Sequence, residues 1–206
     1  MKNTLITILF FAISLQIFSQ SSSNYILVVN GDSIHIDLNK NYKYDYKGKT
    51  LPIKLIQPLT LSYNDDKISF KYPNDLSVSK VSIDSGIDQI MAMTATGSGY
   101  MVQTYSQFDP SSLITIMVNE ITKESVSYGY TKELEDIEYK IKSGHTLKGV
   151  KATLKYKGET EVYTVLSFGG KDEGIMVITM LLTNELQNEE MIQLFIDSLT
   201  INNIEN

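Results

Sequence analysis

Ile68-Ser69-Phe70-Lys71-Tyr72-Pro73 alternates apolar and polar residues and then meets a proline, which cannot donate to a strand ladder. The extended run Leu59 to Tyr63 precedes it across an Asn64-Asp65-Asp66 turn, so the two runs predict a β-hairpin that opens the main domain.

Working outward, Val78 to Ile83, Ile87 to Ala95 and Tyr100 to Phe108 read as further strands, separated by Ser85-Gly86 and Gly97-Ser98-Gly99. Asp109-Pro110 then predicts a helix start, because aspartate caps the first N–H groups and proline at the first position sacrifices none. Leu113, Ile114, Met117, Val118 and Ile121 recur at helical spacing, and Gly129 is placed to end the helix in a left-handed conformation. Ile137 to Ile141, Leu147 to Tyr156, Glu161 to Phe168 and Ile175 to Thr183 predict four more strands. The last is apolar on both faces, which places it centrally with both faces covered. Asn188, Glu189 and Glu190 predict a second helix start, and Met191, Ile192, Phe195 and Leu199 its buried stripe.

On the N-terminal side, Met1 to Ser19 carries an early lysine and an apolar run from Leu5 to Ile13, too short to span a bilayer as a helix. With the small Ser19 before Gln20 it reads as a secretory signal peptide, making the protein exported, periplasmic or secreted, with no transmembrane segment after signal removal. Residues 20 to 58 form a β-hairpin lead-in: Tyr25 to Val29 and Ile34 to Leu38 flank Asn30-Gly31-Asp32, and Thr50 to Ile56 follows Gly48. Between them Tyr42, Tyr44 and Tyr46 share one strand face and Lys43, Asp45 and Lys47 the other. Three phenols on one face either pack onto the neighbouring strands as ordinary cross-strand pairs or form a platform for a sugar ring or an extended peptide, and for the second role Tyr42, Tyr44 and Tyr46 are the candidate binding residues.

The composition narrows the function. The 206 residues include no cysteine, which excludes disulfides, thiolate metal sites and cysteine nucleophiles. All 18 basic residues are lysines and the net charge is -6, so nucleic acid is not an expected partner. The two histidines, His35 and His145, stand in no H-E-x-x-H pattern, and neither a G-x-S-x-G nor a Walker motif occurs. Asp65-Asp66, the acids from Glu133 to Glu138, and Glu189-Glu190 lack calcium-loop spacing and read as solvated turns and a helix start. Met91, Met93 and Met101 fall in adjacent predicted strands, where thioethers fill cores more readily than they gather copper. No catalytic residue, metal site or cofactor is expected.

The Ile68 to Pro73 strand, the long strands from Leu147-Lys148-Gly149 onward and the closing Phe195-Ile196-Asp197-Ser198-Leu199 before Thr200-Ile201 resemble the PsbP-like superfamily over residues 59 to 201. That group includes the extrinsic photosystem subunit, the Ran-binding nuclear import factor and the bacterial DcrB-type envelope proteins. The resemblance implies an α+β fold for residues 59 to 206, an antiparallel sheet flanked by helices in an α/β/α sandwich. It also implies action by binding or supporting other proteins. The expectation is therefore a non-enzymatic accessory module holding another envelope or extracellular protein. The alternatives are an envelope enzyme, which would need His145 or His35 gathered with two carboxylates in a polar pocket, and a small-ligand carrier.

Overall fold

A computed structural model describes residues 25–182 and 185–204. The expected signal peptide and the polar leader before Tyr25 lie outside the described residues. The chain divides into two compact units, Met1–Gln57 and Pro58–Asn206.

The first unit holds two antiparallel hairpins, β1 (Tyr25–Val29) with β2 (Asp32–Ile36) and β3 (Asn41–Tyr46) with β4 (Lys49–Lys54). Both turns take two residues at positive φ, Asn30 (50°) with Gly31 (92°) and Lys47 (50°) with Gly48 (75°). That mirror-image turn matches the right-handed twist of the flanking strands, and glycine in second place makes it inexpensive. A parallel bridge between Leu38 and Leu55 ties the hairpin ends together, with Asn39 N–H donating to the Leu55 carbonyl at 2.8 Å.

The second unit opens with the predicted hairpin, β5 (Thr60–Asn64) and β6 (Ile68–Pro73). Asp65 makes the turn: its Oδ1 accepts the N–H groups of Lys67 at 3.0 Å and Ile68 at 2.9 Å. The chain continues through β7 (Ser79–Asp84), β8 (Ile87–Met93), β9 (Gly99–Tyr105), a 3-10 turn at Pro110–Leu113 and helix α1 (Ile114–Tyr128). Then come β10 (Thr131–Lys140), β11 (Thr146–Tyr156), β12 (Glu159–Gly169), β13 (Gly174–Leu181), helix α2 (Leu186–Ser198) and β14 (Thr200–Ile201). Strands β7 to β13 form one antiparallel sheet in the order β10-β11-β12-β13-β9-β8-β7. Strand β13 is central, as its unbroken apolar run requires. The last strand, β14, returns to pair with β6, completing the three-stranded sheet β14-β6-β5.

The expected α/β/α sandwich is corrected by this architecture. Among the described residues the chain is mostly antiparallel β, fourteen strands in four sheets, with only two short helices. Seven strands about 4.8 Å apart make a sheet roughly 29 Å wide, whereas a helix with its side chains covers about 10 Å. One helix per face therefore cannot build a helical layer. Helix α1 covers β11 and β12 on one face, and Val118 packs there with Ala152, Leu154, Val165, Met176 and Ile178. On the other face α2 shares the cover with the three-stranded sheet, so that Phe195, Ile68 and Phe70 meet Ile90, Tyr100, Val102 and Val177.

Local details follow the caps. Asp109 accepts Ser111 N–H at 2.9 Å and starts the 3-10 turn that leads into α1. Helix α2 starts three residues earlier than Asn188 as a cap suggests: Glu185 takes the capping position and Asn188 lies inside the first turn, donating to Glu185 Oε2 at 3.2 Å. The acids of β10 are the second difference. The strand runs back to Thr131, and its glutamates pair across to β11, Glu133 with Lys155 at 3.2 Å and Glu138 with Lys148 at 3.0 Å. Charged residues on an outer strand also guard a sheet edge against further pairing.

Candidate functional site

Tyr42, Tyr44 and Tyr46 do share one face of β3, and each is half-buried while Asn41, Lys43 and Asp45 are exposed. Their hydroxyls turn to the first hairpin of the same unit. Tyr42 OH donates to Asp37 Oδ2 at 3.1 Å and accepts Asp37 N–H at 2.9 Å; Tyr44 OH donates to Asp32 Oδ2 at 3.2 Å; Tyr46 OH accepts from Asn30 Nδ2 at 3.0 Å. The rings of Tyr44 and Tyr46 stack at 6.4 Å with planes 19° apart. Hydrogen bonds from Lys40 and Tyr42 hold the Asp37 carboxyl below its ordinary range. These phenols mount the second hairpin on the first.

A second tyrosine cluster forms in the other unit, from residues with no local pattern between them. Helix α1 ends at Tyr128 because Gly129 turns left-handed at φ 118°, its N–H returning to the carbonyls of Ser125 and Val126 at 3.1 Å each. The reversal sends Tyr130 toward β10 while the Lys157-Gly158 turn, at φ 47° and 90°, brings Tyr156 alongside. A Cβ on residue 129 would stand 3.3 Å from the Tyr156 ring, so the glycine also permits the close approach. Ring centroids lie 5.3 Å apart for Tyr128 and Tyr156, 5.3 Å for Tyr130 and Tyr156, and 6.3 Å for Tyr128 and Tyr130. Tyr128 remains 71% exposed.

Polar groups surround this corner. Tyr130 OH donates to Glu159 Oε2 at 2.6 Å, and that bond, with burial and the nearby Glu161 charge, raises the phenol above its ordinary range. Tyr163 OH donates to Glu161 Oε2 at 2.9 Å, and burial pushes that phenol up to about 12. The Lys157 ammonium sits 4.8 Å from the centre of the Tyr156 ring, within cation–π range. The arrangement is an exposed aromatic corner with fixed hydroxyls and carboxylates, which can hold a ligand. The one local hint in the sequence is Tyr128-Gly129-Tyr130 at a helix end; Tyr156 joins only through sheet pairing.

The histidines lie in different units, with His35 exposed on β2. His145 lines a groove of about 500 Å³ with Asp109, Ser111, Lys148, Ser167 and Phe168. Its Nδ1 is 2.9 Å from Ser143 Oγ, and its ring centre is 4.6 Å from that of Phe168. Asp109 is the groove's carboxylate, and its two oxygens accept Ser111 N–H at 2.9 Å and Ser111 Oγ–H at 2.7 Å. The groove thus gathers one carboxylate with His145 rather than two. Ser98 is fully buried, and its Oγ accepts Leu182 N–H at 3.0 Å, so the Gly-Ser-Gly turn exposes no hydroxyl. Met91 stands opposite Met101 and Met93 opposite Gly99.

Among the described residues, no three or more His, Cys, Asp or Glu side chains gather as a metal site, and no helix is long and apolar enough to cross a membrane. No family model and no curated protein matches the chain.

Proposed function

We propose that the chain is an exported, non-catalytic binding module of the bacterial envelope or exterior that holds another protein through the corner formed by Tyr128, Tyr130 and Tyr156. The observation that carries this reading is the exposure of Tyr128, 71% open to solvent while its ring packs edge-on against Tyr156 at 5.3 Å and 73°. A large ring held in place by its neighbours loses little side-chain freedom on binding, and exposed tyrosine is a common anchor of protein interfaces.

The test uses the purified protein as bait in envelope extract, beside two variants. One carries Tyr128→Ala with Tyr156→Leu; the other carries Tyr42→Ala, Tyr44→Ala and Tyr46→Ala. Each is first shown by circular dichroism and melting to be folded. The proposal expects a specific protein captured by the parent and lost from the Tyr128 and Tyr156 variant. Undiminished capture by that variant would remove the corner from the account, and capture lost only from the β3 variant would return the site to the first unit.

A further inference from the structure

We infer that the tyrosine corner is a seat for the ammonium group of a lysine side chain on the partner protein, and that Lys157 covers its Tyr156 ring face until the partner arrives. This rests on the binding-module reading above and names the chemistry of its partner.

Three features favour a cation. The Lys157 ammonium already lies 4.8 Å from the Tyr156 ring centre, so the ring face accepts an alkylammonium with no rearrangement. Glu159 and Glu161 each accept one tyrosine hydroxyl, from Tyr130 and Tyr163, and among the described residues neither forms an ion pair. A carboxylate has about four acceptor positions, which leaves both able to take an ammonium hydrogen. Helix α1 also ends here, at Gly129, and the partial negative charge of a helix C-terminus favours cations. Ring faces, two carboxylates and a helix end thus present the same sign to one exposed corner. A neutral sugar would use the rings but would gain little from the rest.

Lys157 follows β11 in an exposed two-residue turn, where a long side chain can swing away without disturbing a strand. It would then act as a built-in competitor. Its removal should strengthen ligand binding, whereas loss of a merely structural contact should not.

The experiment titrates the protein with a tetralysine peptide and, separately, with the same peptide acetylated on every side chain, both at physiological salt. Ring NMR signals of Tyr128, Tyr130 and Tyr156 provide the readout. The free peptide should move these signals and the acetylated one should not. Lys157→Gln should bind about two- to fivefold tighter, the range expected when a surface cation–π competitor is removed. Lys155→Gln makes the same charge change on a lysine paired with Glu133 and should leave affinity near the parent value. Tyr156→Leu, at unchanged net charge and with its fold checked by melting, should lose most of the binding. Equal binding of the acetylated peptide, no gain in Lys157→Gln beyond that in Lys155→Gln, or full binding by Tyr156→Leu would each overturn the inference. If extract capture depends on the corner while tetralysine does not bind there, the lysine assignment fails and the binding-module reading stands. If capture is independent of the corner, the module reading fails first.

Discussion

Tyr100 of β9 and Phe195 of α2 lie face to face, ring centroids 3.9 Å apart and planes within 4°, and both are almost wholly buried. The pair joins the central sheet to the second helix, yet the Tyr100 hydroxyl is buried with no hydrogen-bond partner among the described residues. Burial accordingly pushes its ionisation far above the ordinary range. A buried hydroxyl without a partner costs about 1–3 kcal/mol. Tyr100→Phe should therefore stabilise the protein by about 1 kcal/mol and raise Tm by roughly 2–4 °C. Phe195→Ala should cost about 3–5 kcal/mol by opening a cavity against the same ring. Thermal melts of both variants check this, and a lower Tm for Tyr100→Phe would show that the hydroxyl has a role in the fold.

Asp65 joins the small sheet to the edge of the large one. Its Oδ2 accepts Tyr63 OH at 2.7 Å and the Lys80 ammonium at 2.9 Å, and Lys80 also reaches Asp88 at 3.3 Å. Burial pushes the carboxyl up, but the Ile68 N–H, the Tyr63 hydroxyl and the Lys80 ammonium outweigh it and hold Asp65 at about 2. A carboxyl lowered on folding gives stability that is present above its unfolded value of 3.8 and is lost as pH falls toward 2. Urea unfolding at a series of pH values should show this fall. In Asp65→Asn the slope between those pH values should flatten, with stability at neutral pH reduced by about 1–3 kcal/mol. An unchanged slope would mean that other carboxylates set the acid limit.

The alkaline limit has the opposite sign. Tyr63 and Tyr163 are each pushed up to about 12, mainly by burial and further by Asp65 and Glu161. A phenol raised on folding gives stability that is full below its unfolded value of 10.0 and is lost as pH rises toward 12. Unfolding followed by circular dichroism should set in over that interval. Tyr63→Phe with Tyr163→Phe should shift the onset upward, and an onset unmoved by both changes would assign it elsewhere.

Gly149 sits in β11 opposite Leu166 of β12, and a Cβ there would fall on the Val165 carbonyl oxygen. Backbone cannot yield as a flexible side chain can, so Gly149→Ala should cost on the order of 3 kcal/mol or more through strain between β11 and β12. Gly144→Ala is the control for a different effect. It meets no atom within 4 Å, and its cost should come only from φ 90°. Equal losses in the two variants would contradict the packing argument.

Much of the fold is legible because its signals are local. The alternation of β6, the unbroken apolar run of β13, Asp109-Pro110 at a helix entry and Gly129 at its exit each act within a few residues. The layering is not local. The Ser69 and Thr200 hydroxyls that meet where β14 pairs with β6 are 131 residues apart, and no periodicity announces such a return. The charged half of β10 resembles a loop until Lys151 and Lys155 are opposite it. The same distinction divides the sites. Three tyrosines on one strand are visible in the sequence and turn out to be tied to Asn30, Asp32 and Asp37. The exposed corner needs Tyr128 and Tyr156 brought together by a helix end and a hairpin, which only the tertiary structure supplies.

The most direct test of the binding-module reading is photocrosslinking in living cells. A photoreactive phenylalanine analogue replaces Tyr128 in one protein and Ile116 in another; Ile116 is 65% exposed on the same helix and lies outside the tyrosine corner. The account predicts a discrete adduct with one partner protein from position 128 and none from position 116. No adduct from 128, or the same adducts from both positions, would contradict it.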